Sequence, residues 1–143
     1  MLKALTVAAL AALTVACTNE PWLSVDVQGS SFERVRVAAS TLELATIPFD
    51  VTNDGDATAF IAACGDRIAA SVDRRVNGRW EQFAGGICFA DRLVVPLELR
   101  AGARQHADLG VGEAGQYRIK VHYTEDASGR KPRSAVSEAF DVR

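Results

Sequence analysis

The chain is 143 residues long, 48% apolar and 24% charged, with a formal net charge of −2. That is enough for one domain with a sizeable core. Charges of both signs are interspersed and no basic stripe exists, which argues against nucleic acid as a partner.

At the N-terminus Lys3 is followed by an uncharged run from Ala4 to Ala16. A positive start, a short apolar segment and a small residue ahead of a cut form a secretory signal pattern. The run is too short for a bilayer span, which takes about twenty residues. A core helix would show polar positions at helical spacing, and this run is hydrophobic all round apart from threonines. The stretch Leu13-Thr14-Val15-Ala16-Cys17 resembles the lipobox of bacterial lipoproteins. The resemblance implies that residues 1–16 are removed and that Cys17 is acylated as the new N-terminus. The protein is then expected outside the cytoplasm, in the cell envelope and held to the membrane by a lipid anchor. Thr18 follows Cys17 where aspartate would retain a lipoprotein at the inner membrane. In a Gram-negative cell that resembles the signal for sorting to the outer membrane, on its periplasmic face. Residues 17–21 form a short tether and 22–143 the folded domain, with Trp22 read as a strand anchor in preference to a ring at the lipid interface.

Beyond the tether the apolar residues recur with period two. Leu23, Val25 and Val27 alternate with Ser24 and Asp26; Val35 and Val37 alternate with Arg34 and Arg36; Ile47, Phe49 and Val51 alternate with Thr46, Pro48 and Asp50. Asn53-Asp54-Gly55-Asp56 is a turn signal, with Asn, Asp and Gly tolerant of positive φ. The run from Ala57 to Cys64 is mostly apolar, and Ile68, Ala70 and Val72 continue the alternation. Asn77-Gly78 predicts a second tight hairpin, between Arg74-Arg75-Val76 and Arg79-Trp80-Glu81. Leu93, Val95, Leu97 and Leu99 predict a strand that Pro96 confines to an edge or a bulge. Ala101-Gly102 turns the chain. Tyr117, Ile119, Val121 and Tyr123 alternate with Arg118, Lys120 and His122 as the cleanest half-buried strand, and Val136 to Val142 closes the chain after a polar loop. Eight or nine short strands separated by turn residues, and no helix after residue 16, predict an antiparallel sandwich or barrel.

With Cys17 assigned to lipid, Cys64 and Cys88 remain as an even pair in an oxidising compartment, where a disulfide is expected. It would close a loop of about 25 residues, a constraint that chain entropy puts at roughly 3 kcal/mol. Two cysteines without neighbouring histidines make a poor metal site.

The segment Ala114-Gly115-Gln116-Tyr117-Arg118-Ile119 resembles the tyrosine corner of immunoglobulin-like sandwiches, in which a tyrosine hydroxyl bonds the loop backbone upstream. The fold class is therefore read as an all-β, immunoglobulin-like antiparallel β-sandwich. Ile119 stands where antibody domains carry cysteine, so Cys64 and Cys88 would be a different staple. A narrower resemblance is carried by Phe49, Val51, Asn53, Cys64, Asn77, Gly78, Trp80, Cys88, Leu99, Gly102, Gly115, Tyr117 and Arg118. This order resembles small bacterial envelope lipoproteins of uncharacterised function. It is also loosely similar to the BsuPI-type proteinase-inhibitor domain, although Ala101-Gly102 stands where that family has Pro-Gly.

The residues that could carry chemistry are few. His122 falls by parity on the polar face of its strand. His106 lies in Arg104-Gln105-His106-Ala107-Asp108, where Asp108 could orient it. No serine sits in a Gly-x-Ser-x-Gly elbow. Asp50, Asp54 and Asp56 could offer oxygen ligands to calcium, but Ile61 occupies the place where the EF-hand spacing needs an acid, and turn chemistry accounts for them. No metal, cofactor or catalytic group is expected. Trp80 near a hairpin tip, flanked by Arg74, Arg75 and Arg79, reads either as core packing over the cysteine bridge or as an exposed contact of the kind that dominates binding surfaces, with Arg79 beside it. The expected function is a membrane-anchored, non-enzymatic binding or assembly accessory, its partner an envelope protein or a surface polymer. A proteinase inhibitor of BsuPI type is the alternative.

Overall fold

The structure, a computed structural model, describes residues 21–85 and 94–143. Residues 1–16, read above as a signal, and Cys17, Thr18, Cys88 and Leu93 lie outside the described residues. Thirteen strands are described: β1 (Leu23–Val27), β2 (Ser31–Phe32), β3 (Val35–Arg36), β4 (Glu43–Asn53), β5 (Ala59–Cys64), β6 (Arg67–Ile68), β7 (Ser71–Val76), β8 (Arg79–Gly85), β9 (Val94–Leu99), β10 (Arg104–Val111), β11 (Gly115–Thr124), β12 (Arg133–Val136) and β13 (Phe140–Val142).

The period-two pattern places one face of each strand in a shared core. The first sheet has the order β1-β4-β10, with β3 hanging on β4. The second is built around β11. One edge of β11 carries β13 and β12, and the other carries β7 and β5 end to end. Outside these run β8 on β7 and β9 on β5. Pairing is antiparallel except where β13 meets β2. Leu23, Val25, Ile47, Phe49, Val51 and Val111 of the first sheet pack against Ile61, Val72, Tyr117, Ile119, Val121 and Phe140 of the second. The chain is an all-β, immunoglobulin-like sandwich. The tyrosine corner is present: Tyr117 OH donates to the Glu113 carbonyl at 2.9 Å.

Local sequence explains the main turns. Asn77 and Gly78 have φ of 50° and 79°, the two positive values a tight I′ hairpin needs, and Val76 faces Arg79 across it. At Gly85, φ is 100° and a Cβ would stand 2.4 Å from the Ala70 carbonyl oxygen, so only glycine fits. A register shift between Val72 and Asp73 makes a bulge that leaves Phe83 unpaired and turns its ring onto Tyr117, 5.4 Å between centroids. Among the described strands β9 pairs only with β5, so Pro96 does lie on an edge.

Two expectations are corrected, and one strand that was not foreseen is added. Val35 and Val37 are 64% and 40% exposed rather than core. Their strand is two residues long and turns back at once through Val37 and Leu42, so period two has no length over which to bury a face. Asn53-Asp54-Gly55 is not a hairpin turn, because it carries the chain from β4 in one sheet to β5 in the other, and neither Asn53 nor Gly55 has positive φ. The stretch around His106 is a full strand, β10, paired to β4 from Arg104 to Val111.

Candidate functional site

On its outer face the second sheet carries a cluster of cations around a tryptophan. Strand alternation sends Ile119 and Val121 into the core and Gln116, Arg118, Lys120 and His122 outward. Asp73 faces Arg118 across the β7–β11 ladder. Its side chain is 3% exposed, and its Oδ2 accepts from Arg118 Nε at 3.0 Å and Nη2 at 2.9 Å, with Lys120 Nζ at 3.2 Å. Asp73 Oδ1 is buried and has no hydrogen-bond partner among the described residues.

Trp80 lies opposite Arg75 across the β7–β8 hairpin. The guanidinium of Arg118 sits 4.7 Å from the Trp80 ring centroid and that of Arg75 sits 5.9 Å from it, both within cation–π range. Arg75 Nη1 also donates to Gln116 Oε1 at 3.0 Å. Three cations stand against the buried Asp73 and the exposed Asp141, which faces Gln116 across the β11–β13 ladder, so the cluster is still net positive on a chain that is net negative.

Trp80 is half-buried on this outer face and does not belong to the hydrophobic core. Arg79 does not join it. Arg79 faces Val76 and is the chain neighbour of Trp80, so it projects from the opposite face. Sequence reasoning placed Arg75 beside Trp80 and missed Asp73. Counting outward from Asn77-Gly78 pairs Arg75 with Trp80, so that contact was legible; the meeting with Arg118 depends on a strand some forty residues away.

The other candidates lie apart from this cluster. His106 Nδ1 contacts Asp50 Oδ1 at 2.9 Å, with Arg104 and Gln28 on the other oxygen. The residue that orients His106 is thus Asp50, its cross-strand partner, and not Asp108, which stands two residues along the same strand. Asp54 and Asp56 belong to the β4–β5 corner, away from the Asp50 carboxylate group, and among the described residues no cluster of three acidic, histidine or cysteine side chains is placed to hold a metal. His122 is exposed and meets Ser134 Oγ at 2.9 Å. Trp22 precedes β1. Its ring is 64% exposed, while its backbone is bonded to Asn53, Asp54 and Gly55. Cys64 ends β5 and is half-buried.

No family model matches the chain, and no curated protein matches it. Among solved structures it is similar to the ApaA protein from Bordetella pertussis, with 14% identity over 85% of this chain and 93% of that one and a TM-score of 0.52. That likeness shows the fold alone. The CARDB domain of a Pyrococcus furiosus protein, solved in complex with di-metal ions, overlaps 87% of this chain and 94% of its own at 15% identity and a TM-score of 0.38. At that score the overlap carries no argument.

Proposed function

We propose that this chain is a lipid-anchored lipoprotein of the bacterial envelope that works by binding, as an assembly accessory, and not by catalysis. The observation that carries the reading is the outer face of β7, β8 and β11. There a buried carboxylate holds two cations in place beside a tryptophan flanked by guanidinium groups. Fixed Arg and Trp side chains on a flat sheet are the chemistry of a contact surface.

The anchor reading gives that face an orientation. Pro21 is buried and Trp22 is bonded into the Asn53 corner, so folded structure starts four residues after Cys17. Four residues span about 14 Å at most. Acyl chains on Cys17 would therefore hold the Asn53 end of the sandwich against the bilayer, with the exposed Trp22 ring at the headgroup level that tryptophan favours. Strand β11 runs from Tyr117, beside the β7–β8 hairpin, to Tyr123, beside β5, roughly 20 Å at strand rise. Trp80 thus stands at the end remote from the membrane.

Cys64 is proposed to pair with Cys88. Strand β8 ends opposite Ser71 and β9 begins opposite Cys64, so the connection that contains Cys88 leaves and rejoins the sheet within reach of Cys64.

The test is metabolic labelling with a fatty-acid analogue in cells expressing the chain or Cys17→Ser. Label and membrane association are expected to vanish in the variant. Unchanged label overturns the anchor. Two reactive sulfhydryls on the non-reduced mature protein would overturn the disulfide, and potent inhibition across a protease panel would replace the accessory reading with the BsuPI-like one.

A further inference from the structure

We infer that the outer face of the second sheet is a docking track for an extended acidic segment of a partner protein, with an apolar anchor at one end. The inference rests on the binding reading above and names the partner's chemistry.

The outward positions of β11 form a ladder. Arg75 stands at the level of Gln116, to which it is bonded, and Arg118, Lys120 and His122 follow at alternate residues. Strand geometry separates these levels by about 6.7 Å each. Arg75, Arg118 and Lys120 thus rise from three successive outward levels, the period of every second residue of an extended polypeptide, with the ends of Arg118 and Lys120 drawn together on Asp73 Oδ2. Trp80 borders the Arg75 end. Asp73 holds the middle of the row: it engages Arg118 through Nε and Nη2, which leaves Nη1 without a hydrogen bond among the described residues. The cations are set in position before any ligand arrives, which lowers the ordering cost of binding.

Beyond the cations the face changes character. His122 also lines a cavity of about 200 Å³ with Ala62, Pro96, Ala127 and Pro132, and its walls are almost wholly apolar. A cavity of about 150 Å³ is enough for a benzene-sized group, so one aliphatic or aromatic side chain fits. Glu98, on the same face of β9, reverses the sign of charge past the cavity. A ligand therefore has a direction: carboxylates at alternate positions toward Trp80, then an apolar residue at the cavity.

Charge complementarity selects an anion, and the guanidinium fork suits planar carboxylates. The two-residue period and the single apolar cavity select a polypeptide over a uniformly charged polysaccharide. Asp73 is here a positioning residue, acting through Arg118 and Lys120.

The experiment uses the full-length chain in detergent micelles and the capped peptide Glu-Thr-Glu-Thr-Glu-Thr-Leu. Binding is followed by calorimetry and by Trp80 fluorescence in a Trp22→Phe background. The peptide is expected to bind with an affinity that falls as salt rises. Replacing its glutamates by glutamines, or introducing Arg75→Glu, is expected to weaken binding at least about tenfold. Arg75 is exposed and outside the core, so Arg75→Glu is expected to melt with the parent, and the melt is recorded to verify this. Ala62→Trp, which fills the cavity, is expected to abolish the preference for leucine over serine at the last position. Equal binding of the glutamine peptide, indifference to Arg75→Glu in a chain that melts normally, or binding of polygalacturonate in place of the peptide would each overturn the inference. An unlipidated chain that binds the peptide would sink only the anchor, and a lipidated chain blind to it would sink only the track.

Discussion

Asn53 and Asp73 are both almost wholly buried, one in each sheet, and they are satisfied in opposite ways. Asn53 Nδ2 donates to the carbonyls of Ala57 and Leu99, each at 2.8 Å, and its Oδ1 accepts from the Trp22 and Gly55 amides. Its own backbone bonds Ala103 and Gly102. Every capacity of the amide is filled, and every partner is main chain. Asp73 is held through one oxygen by two side chains that reach the surface, and its other oxygen is unpartnered. A buried polar group closed by backbone serves the fold: Asn53 ties the entry of β1, the crossing between sheets and the exit of β9 into one corner. A buried charge closed by partly exposed cations adds little net stability, but it fixes where those cations stand. The first is architecture, and the second prepares a surface.

Substitutions should separate the two roles. Asn53→Leu removes four hydrogen bonds and leaves the Ala57 and Leu99 carbonyls and the Trp22 amide without their Asn53 partner, while the Gly55 amide keeps the Trp22 carbonyl, a loss on the order of 4 kcal/mol. The expected outcome is a large fall in the urea midpoint with the slope unchanged, while whatever protein still folds binds the acidic peptide normally. Asp73→Asn should do the reverse. Arg118 and Lys120 are each about a quarter exposed and can recover water, so the stability loss should stay near 1–2 kcal/mol. Peptide affinity should fall by more than stability does, because the two cations lose their fixed positions. If Asp73→Asn proved the more destabilising of the pair, with binding intact, the distinction would collapse.

The sandwich was legible because its central strands are long. Over Tyr117–Tyr123 and Ile47–Val51 period two runs for enough residues to leave one reading, and the tyrosine corner needs only local spacing. Val35 and Val37 misled for the converse reason: two alternating valines look alike whether the strand continues or turns. Strand β10 was missed because its inward positions include Gln105 and Ala107, which carry little apolar signal although the alternation is there. The site was half legible. Trp80 stood out by type, and its place beside the Asn77-Gly78 turn supplied Arg75. Asp73 could not be found, since an aspartate between valine and arginine looks solvated until β11 pairs beside it and buries it.

Tyr117→Phe tests the corner at the other end of β11 from Asn53. It removes one hydrogen bond, to the Glu113 carbonyl, for a loss of about 1 kcal/mol. Burial raises the Tyr117 hydroxyl above its usual value of 10.0, with Arg74 opposing and Glu113 adding to the effect. The folded protein thus holds this proton more tightly than the unfolded chain. The contribution is whole below about pH 10 and is lost as pH rises through the folded value. Tyr117→Phe should therefore flatten the alkaline limb of the stability profile, measured by denaturation at successive pH values, and leave neutral-pH cooperativity intact. An unchanged limb would place the phenol outside the linkage.

The smallest expected effect is the one that decides what the tryptophan is for. Were Trp80 a core residue, Trp80→Ala would cost about 3–5 kcal/mol. On the outer face it loses two cation–π contacts with partly exposed guanidiniums, which is about 0.5–1 kcal/mol in all. The melting temperature should drop by only about 2–4 °C, less than for Asn53→Leu by a wide margin. A large aromatic side chain held half-exposed at so little gain in stability makes sense if its contact energy is realised against a partner. A drop as steep as that of Asn53→Leu would instead make Trp80 part of the architecture and leave the cationic track without its border.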